Sequence, residues 1–156
     1  MKSIYKLIIS IVTTLAVGGI SGFFTSSSVN GWFKTLNKPS FNPPGWLFAP
    51  VWTVLYILIG IAFYIIWNSQ VKTEKKYTAY TYYWLQLLLN FGWSFLFFFY
   101  KRPDLALIDI IVLFIMISST IFSFRKISKT AAWLLVPYLC WVAFATALNF
   151  AIWKLN

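Results

Sequence analysis

The chain has 156 residues, of which 60% are hydrophobic and only 10% are charged. This composition is rich enough in apolar residues for several membrane spans, and it carries too little charge for a soluble domain of this size. Histidine is absent and cysteine occurs once, at Cys140. A disulfide within the chain, a Cys/His metal cluster and a catalytic site built on histidine are therefore excluded.

The net charge of +10 comes from 13 lysines and arginines scattered between apolar stretches. A nucleic-acid surface needs a continuous basic patch, whereas cations that flank apolar runs are typical of membrane anchors. The sequence thus favours a membrane partner and no nucleic acid. Asp104 and Asp109 are five residues apart, so on one helix they point about 140° apart and form no convergent carboxylate pair.

Five stretches reach the ~20 mostly apolar residues that a membrane span requires. They cover residues 5–26, 45–68, 79–100, 104–124 and 130–153. We therefore predict an all-α integral membrane protein, a single domain over 1–156 built as a bundle of five transmembrane helices. Residues 27–44 are predicted to form a structured lid loop between the first two helices.

The first span contains Gly18 and Gly22, a GxxxG spacing that lets another helix approach closely. The approaching helix belongs either to the same chain or to a second copy. The chain has a basic start, but the apolar run is long for a signal peptide and ends without a cleavage motif, which favours a retained helix.

The stretch Gly31–Tyr56 holds four of the six prolines and three of the nine tryptophans. Proline removes a backbone donor and biases the preceding residue away from helix, so residues 31–43 are not a buried helix. Flexible tethers are built from glycine and polar residues, which makes this aromatic loop a candidate lid over a ligand pocket. The alternative is an aromatic belt at the membrane interface.

Three spans carry candidate pocket residues at helical spacing. Trp52 and Tyr56 share one face of the second span, and Asn90 and Trp93 share a face of the third. An unpaired amide in hydrocarbon is costly, so Asn90 should face the bundle interior, either toward a ligand or in a helix–helix hydrogen bond. Near the start of the fourth span, we predict that Asp109 forms a structural ion pair or hydrogen bond with Lys101 or Arg102.

In the fifth span, Trp141, Ala145 and Leu148 follow i, i+4, i+7 spacing and share a face. A small residue beside an aromatic wall leaves room for a ligand, although ordinary packing explains the same pattern. Ala143 and Ala147 form a second small-residue edge.

The cation distribution predicts the topology. Eight cations lie on the N-terminal side of the spans and five on the other side. The positive-inside rule then places the N-terminus in the cytoplasm and the C-terminus outside a bacterial cell membrane.

Four runs of this sequence resemble the translocator protein family, also called tryptophan-rich sensory proteins or peripheral benzodiazepine receptors. They are KPSFNPPGWLFAPVWTVLY (38–56), LNFGWS (89–94), LALIDI (105–110) and PYLCWVAFATALNFAIW (137–153). The resemblance covers nearly the whole chain and looks like that of a bacterial member. It implies five packed helices, commonly a homodimer, and a pocket in each protomer capped by the loop after the first helix.

The resemblance also implies the ligands and the pocket. Family ligands include protoporphyrin IX, sterols, and synthetic isoquinoline carboxamides and benzodiazepines, and bacterial members are associated with light-dependent breakdown of protoporphyrin IX. For this chain we predict no bound cofactor and no metal site. The matching pocket residues are Trp32, Trp52, Tyr56, Asn90, Trp93, Trp141, Ala145 and Leu148. Trp52 and Trp141 match the tryptophans important for that photochemistry.

Two departures from the family pattern concern ligands. Phe150 replaces the tyrosine of the sterol motif between Leu148 and Lys154, which argues against cholesterol binding. Leu105 replaces a tryptophan that some members carry at the start of the fourth helix.

Three functions remain open from the sequence. The first is a porphyrin binder that degrades its ligand in light, in which Lys34 and Lys38 of the lid meet the propionates. Because histidine, the usual haem ligand, is absent, a metal-free porphyrin fits better than haem. The others are a transporter, although paired intramembrane acids and broken helices are missing, and a stress sensor that changes partners on ligand binding.

Overall fold

The computed structural model describes all residues 1–156 and is entirely helical. Seven α-helices and one π-helix follow one another along the chain. They are α1 (Ser3–Asn30), α2 (Trp32–Thr35), α3 (Gly45–Asn68), α4 (Thr73–Ser94), the π-helix (Phe95–Phe99), α5 (Pro103–Arg125), α6 (Lys129–Leu134) and α7 (Val136–Leu155).

Four helical stretches are long and apolar enough to cross a membrane: α1, α3, α5 and the α6–α7 stretch. The protein is therefore an integral membrane protein. The predicted third span, 79–100, does not qualify as one apolar helix, because α4 starts with the polar turn from Thr73 and ends where the π-helix begins. Four candidate spans stand in place of the predicted five, although α4 packs along α5 as a member of the bundle.

Helix α1 shows directly that the surroundings are apolar. Its fully buried residues are small and polar: Ser10, Thr14, Ser21 and Thr25. Its large apolar side chains, such as Ile8, Val12 and Phe23, point outward. Water would select the opposite arrangement, whereas membrane helices use small residues for contact and present apolar residues to lipid.

Close approach of α1 and α3 depends on glycine. A Cβ added to Gly60 would lie 2.8 Å from the Cα of Ile11, and one added to Gly18 would overlap the Tyr56 ring. Thr14 donates a 2.7 Å hydrogen bond to the Tyr56 carbonyl at the same contact. Gly18 therefore serves packing within the chain, while Gly22 has no neighbour within 4 Å and faces outward.

Proline determines two helix boundaries near the candidate site. The segment 36–44 has no regular structure and contains three prolines, and α3 begins directly after Pro44. The predicted lid loop 27–44 is shorter in the structure, because α1 continues to Asn30 and residues 32–35 form α2. The predicted fifth span is divided at Leu135, and Pro137 lies in the first turn of α7, where its missing N–H costs little.

The buried apolar residues form two groups. The larger one lies among α3, α4, α5, α6 and α7 and includes Ile59, Tyr83 and Tyr138. The smaller one, which we call the lid cluster, consists of Phe97, Ala106, Leu148 and Ile152. Trp32, Phe33, Leu36, Phe48 and Trp93 pack against the lid cluster, so it joins the 31–44 segment to the bundle.

Candidate functional site

Four buried polar side chains form a continuous hydrogen-bonded series across α3, α4 and α7, which we call the polar chain. The Tyr56 hydroxyl donates to Asn90 Oδ1 at 2.7 Å, and Asn90 Nδ2 donates to the Tyr138 hydroxyl at 2.7 Å. The Tyr138 hydroxyl donates in turn to Gln86 Oε1 at 2.8 Å. All four side chains are at most 6% exposed. Asn90 therefore faces the bundle interior, where it joins three helices.

Two donors in this region have no partner. Gln86 Nε2 ends the polar chain without an acceptor, and the buried indole N–H of Trp141 has none. A buried donor that forms no hydrogen bond costs about 1–3 kcal/mol. Both groups are donors, so the group that would satisfy them is an acceptor such as a carbonyl or a carboxylate.

Aromatic rings flank the polar chain. The Trp52 ring lies 5.5 Å from Tyr56 and 6.3 Å from Tyr138, measured between centroids. Trp141 lies 6.1 Å from Phe48 and 5.5 Å from Phe144. Trp52 thus stands beside the polar chain on α3, whereas Trp141 contacts Phe48 and Phe144 from α7, and both tryptophans are only partly buried.

Ala145 and Leu148 are both buried but belong to different groups. Ala145 lies in the larger core, against which Trp52 and Trp141 also pack. Leu148 lies in the lid cluster. The predicted face of the fifth span therefore runs from the polar chain toward the lid.

Trp93 is held in place by a second set of hydrogen bonds. Its indole N–H donates to Asn149 Oδ1 at 2.9 Å, and Asn149 Nδ2 donates to the Pro103 carbonyl at 2.9 Å. The Trp93 ring stacks on Phe97 at 5.3 Å. Trp93 thus joins α4, α5 and α7 at the lid end, one turn from Asn90.

The 31–44 segment rests on the π-helix and on the end of α7. Trp32 packs edge-on against Phe97 at 6.0 Å, and Phe33 against Phe98 at 5.5 Å. Asn37 and Asn156 form a clasp, in which the Asn37 N–H donates to Asn156 Oδ1 and Asn156 Nδ2 donates to the Asn37 carbonyl. Lys38 donates to the Leu36 carbonyl and lies over the Phe33 ring, so its ammonium is engaged within the segment.

The structure reveals three polar residues that sequence reasoning did not select: Gln86, Tyr138 and Asn149. A signal for Gln86 existed, since Gln86, Asn90 and Trp93 follow i, i+4, i+7 spacing on one helix. Tyr138 and Asn149 lie inside the run 137–153 that carries the family resemblance, three residues before Trp141 and one after Leu148.

The expected ion pair or hydrogen bond of Asp109 with Lys101 or Arg102 is wrong. Arg102 instead forms a bidentate pair with Asp104, at 2.9 Å and 2.7 Å. This hydrogen-bonded pairing raises the pKa of the Arg102 guanidinium. Asp109 has no ion pair, and its buried Oδ2 has no partner. Asp104 is two residues from Arg102 at the helix start, so it is within reach of the guanidinium while Asp109 is more than a turn away.

Two grooves open elsewhere on the bundle. One, of about 220 Å³, lies between α1, α3 and α4 beside Ser10, Phe63 and Trp67. The other, of about 380 Å³, lies where α5, α6 and α7 meet. No group of three His, Cys, Asp or Glu side chains is placed to hold a metal ion.

Most of the chain matches a known protein family. The sequence model described as the TspO/MBR family matches residues 10–154. The chain belongs to the TspO/MBR family. The resemblance noted from the four sequence runs is thereby confirmed. Those runs include Tyr56 on α3 and Tyr138 on α7, the two tyrosines of the polar chain.

Relatives in the TspO/MBR family come from archaea, bacteria and mammals. A tryptophan-rich protein TspO of Archaeoglobus fulgidus is 47% identical over 154 residues, covering 99% of both chains. One of Chlorobaculum tepidum is 44% identical over 155 residues, covering 99% of this chain and 98% of its own. The translocator protein of Homo sapiens is 37% identical over 126 residues, covering 80% of this chain and 75% of its own.

Proposed function

We propose that the chain binds protoporphyrin IX or a related flat hydrophobic tetrapyrrole between α3, α4 and α7, beneath the 31–44 segment. The buried indole N–H of Trp141, which has no partner, is the observation that carries this proposal. Ligand sites are mostly apolar with a few placed polar groups that orient the ligand. The region around the polar chain has that composition, and membership of a family with translocator proteins supports it.

The proposed ligand matches the available donors. A porphyrin carries carboxylates that accept hydrogen bonds from Trp141 Nε1 and Gln86 Nε2, and a flat face that stacks on Trp52. The chain has no histidine to serve as an axial ligand to iron, so a metal-free porphyrin suits it better than haem. Isoquinoline carboxamides and benzodiazepines present carbonyl acceptors on flat rings and would occupy the same region.

We further propose light-dependent breakdown of that porphyrin. The excited porphyrin accepts one electron from the indole of Trp52 or Trp141, which leaves the porphyrin reduced and the indole oxidised. Dissolved dioxygen then adds across a methine carbon–carbon double bond of the reduced porphyrin, and the adduct returns one electron to the oxidised indole, which restores the tryptophan. The O–O bond and that carbon–carbon bond break, so the opened ring carries two carbonyl groups and both oxygen atoms of the dioxygen. Trp52 and Trp141 would also form the stacking walls.

The test is quenching of tryptophan fluorescence by protoporphyrin IX in the dark, followed by illumination while the porphyrin absorbance is recorded. We expect saturable quenching and light-dependent loss of the porphyrin bands. The Trp52→Phe/Trp141→Phe variant should retain weakened binding and lose most of the photodegradation. The matched control is Trp46→Phe/Trp84→Phe, which replaces two tryptophans on the exposed surface.

Each outcome has a defined meaning. Equal degradation by the wild type and the Trp52→Phe/Trp141→Phe variant would refute the tryptophan-donor step. Saturable quenching without loss of absorbance would leave a binding protein, and absence of saturable quenching would refute porphyrin as the ligand. Gradient-dependent porphyrin flux in proteoliposomes would instead favour transport.

We also propose five membrane crossings, with α4 and the π-helix as the third, a cytoplasmic N-terminus and a homodimer. The cation bias of eight to five supports this orientation. In a Cys140→Ser background, single cysteines at Lys75 and Thr35 should react with a membrane-impermeant maleimide from opposite sides of the membrane. Labelling of both from one side would refute the topology.

A further inference from the structure

A groove of about 380 Å³ opens where α5 ends and α6 begins, away from the polar chain. We call it the basic groove. Its lining residues are Ile121, Arg125, Lys129, Ala132, Trp133 and Val136. Its two cations, Arg125 and Lys129, are among the eight that predict a cytoplasmic N-terminus. The proposed porphyrin site does not include any residue of the basic groove.

Both cations of the basic groove lack a protein counter-charge. Arg125 is the last residue of α5 and Lys129 the first of α6, and both are exposed. The single ion pair of the chain joins Arg102 and Asp104, so no acid lies within 4 Å of either groove cation. Two uncompensated cations that line one opening favour an anionic occupant.

The remaining walls of the groove are apolar. Ile121 lies one turn before Arg125, and Trp133 lies one turn after Lys129, which is about 6 Å along each helix axis. Trp133 is 71% exposed although it belongs to a candidate membrane span, so its ring faces the lipid. On both helices, a cation thus lies at the helix end and a large apolar side chain lies one turn deeper in the span.

We propose that the basic groove binds one anionic glycerophospholipid from the surrounding bilayer. Arg125 and Lys129 hold the phosphate at headgroup level, and an acyl chain lies over Trp133 and Ile121. Basic pockets between transmembrane helices are a known physical solution for holding anionic lipid headgroups. A soluble anion would use the two cations but leave the apolar wall uncovered, and a neutral lipid would leave the cations unpaired.

The test is native mass spectrometry of the full chain in detergent, titrated with phosphatidylglycerol and, separately, with phosphatidylcholine. We expect one phosphatidylglycerol to bind at least tenfold more tightly than phosphatidylcholine. The Arg125→Gln/Lys129→Gln variant should weaken phosphatidylglycerol by about tenfold to thirtyfold, as expected from the loss of two cations at an anionic headgroup. Phosphatidylcholine binding should not change.

The matched control removes two charges without touching the groove. Lys75→Gln/Lys126→Gln replaces two exposed lysines, one of them adjacent to Arg125, and neither lines the groove. It should bind phosphatidylglycerol within about twofold of the wild type. Equal weakening by both double variants would show an effect of net charge alone and overturn the proposal.

Two further arms address the apolar wall and folding. Trp133→Ala, with both cations retained, should weaken phosphatidylglycerol severalfold, and the soluble headgroup glycerophosphoglycerol should show no saturable binding. If Trp133→Ala binds phosphatidylglycerol as tightly as the wild type, or if the headgroup alone binds tightly, the proposal is overturned in favour of a simple anion site. Helix content measured by circular dichroism establishes that each variant is folded, and porphyrin quenching reports separately on the other site.

Discussion

The polar chain and the lid cluster lie next to each other in the bundle but are built differently. The polar chain joins three helices through hydrogen bonds and leaves Gln86 Nε2 without a partner, and the indole N–H of Trp141 on α7 has no partner either. At the lid cluster, Trp93 has the same indole N–H as Trp141, but there it is paired with Asn149. Aromatic contacts around Phe97 complete the packing. The indole donor at the lid cluster is thus satisfied within the protein, whereas Gln86 and Trp141 keep free donors that the proposed ligand would use.

The largest expected effect comes from removing the central ring of the lid cluster. Phe97 is 2% exposed and contacts the rings of Trp32, Phe33 and Trp93. Phe97→Ala should lower the free energy of unfolding by about 3–5 kcal/mol, because the cavity cannot collapse fully. Thermal unfolding in detergent measures it. The control Phe99→Ala, at a 50% exposed ring, should change stability far less, and equal losses would contradict the assigned role of Phe97.

A smaller loss is expected at the centre of the polar chain. Tyr138→Phe removes the hydroxyl that accepts from Asn90 and donates to Gln86, leaving both amides with unpaired buried groups. Such groups cost about 1–3 kcal/mol, measured as a lower unfolding temperature. Tyr100→Phe, at an exposed tyrosine, is the control. If the two variants unfold at the same temperature, the polar chain does not contribute to stability.

The two tryptophans provide the sharpest contrast. Trp93→Phe breaks a formed hydrogen bond and should destabilise the protein by about 1 kcal/mol or more, since Asn149 Oδ1 loses its donor. Trp141→Phe removes an unpaired buried N–H, which relieves a cost, and replaces the indole by a smaller ring, which loses packing. These effects oppose each other, so the ligand-free protein should keep about its stability while porphyrin binds about threefold to tenfold more weakly. Unfolding temperatures with and without porphyrin measure both effects. A reversed order would mean that Trp141 is not the free donor.

The smallest effect on stability is expected at the clasp. Asn156→Ala removes hydrogen bonds to Asn37 at an exposed position, so the free energy of unfolding should change by no more than about 0.5 kcal/mol. Porphyrin should nevertheless dissociate severalfold faster, because the 31–44 segment is held less firmly; stopped-flow release measures this. The control is Asn68→Ala, at the end of α3 that is far from the 31–44 segment, and it should leave the porphyrin release rate unchanged.

Periodicity in the sequence was sufficient to place side chains on helix faces. Asn90 faces inward because hydrocarbon penalises an unpaired amide, and Tyr56 lies on the inner face of α3, as its spacing predicts. Periodicity did not identify the partner that each inward residue meets. Gln86 and Tyr138 come together only through the rotation and register of α4 against α7, which depend on contacts far apart in the chain.

The sequence by itself determined the helical class, the apolar character that requires a membrane and the family membership, because each follows from composition or from short local runs. Only the tertiary structure decided that the inner face of α1 is made of small polar residues and that Tyr56, Asn90, Tyr138 and Gln86 form one hydrogen-bonded series. It also decided which buried donors stay unpaired. The physical reason is that a hydrogen bond or an ion pair requires two groups within about 3 Å, and the packing of whole helices sets that distance.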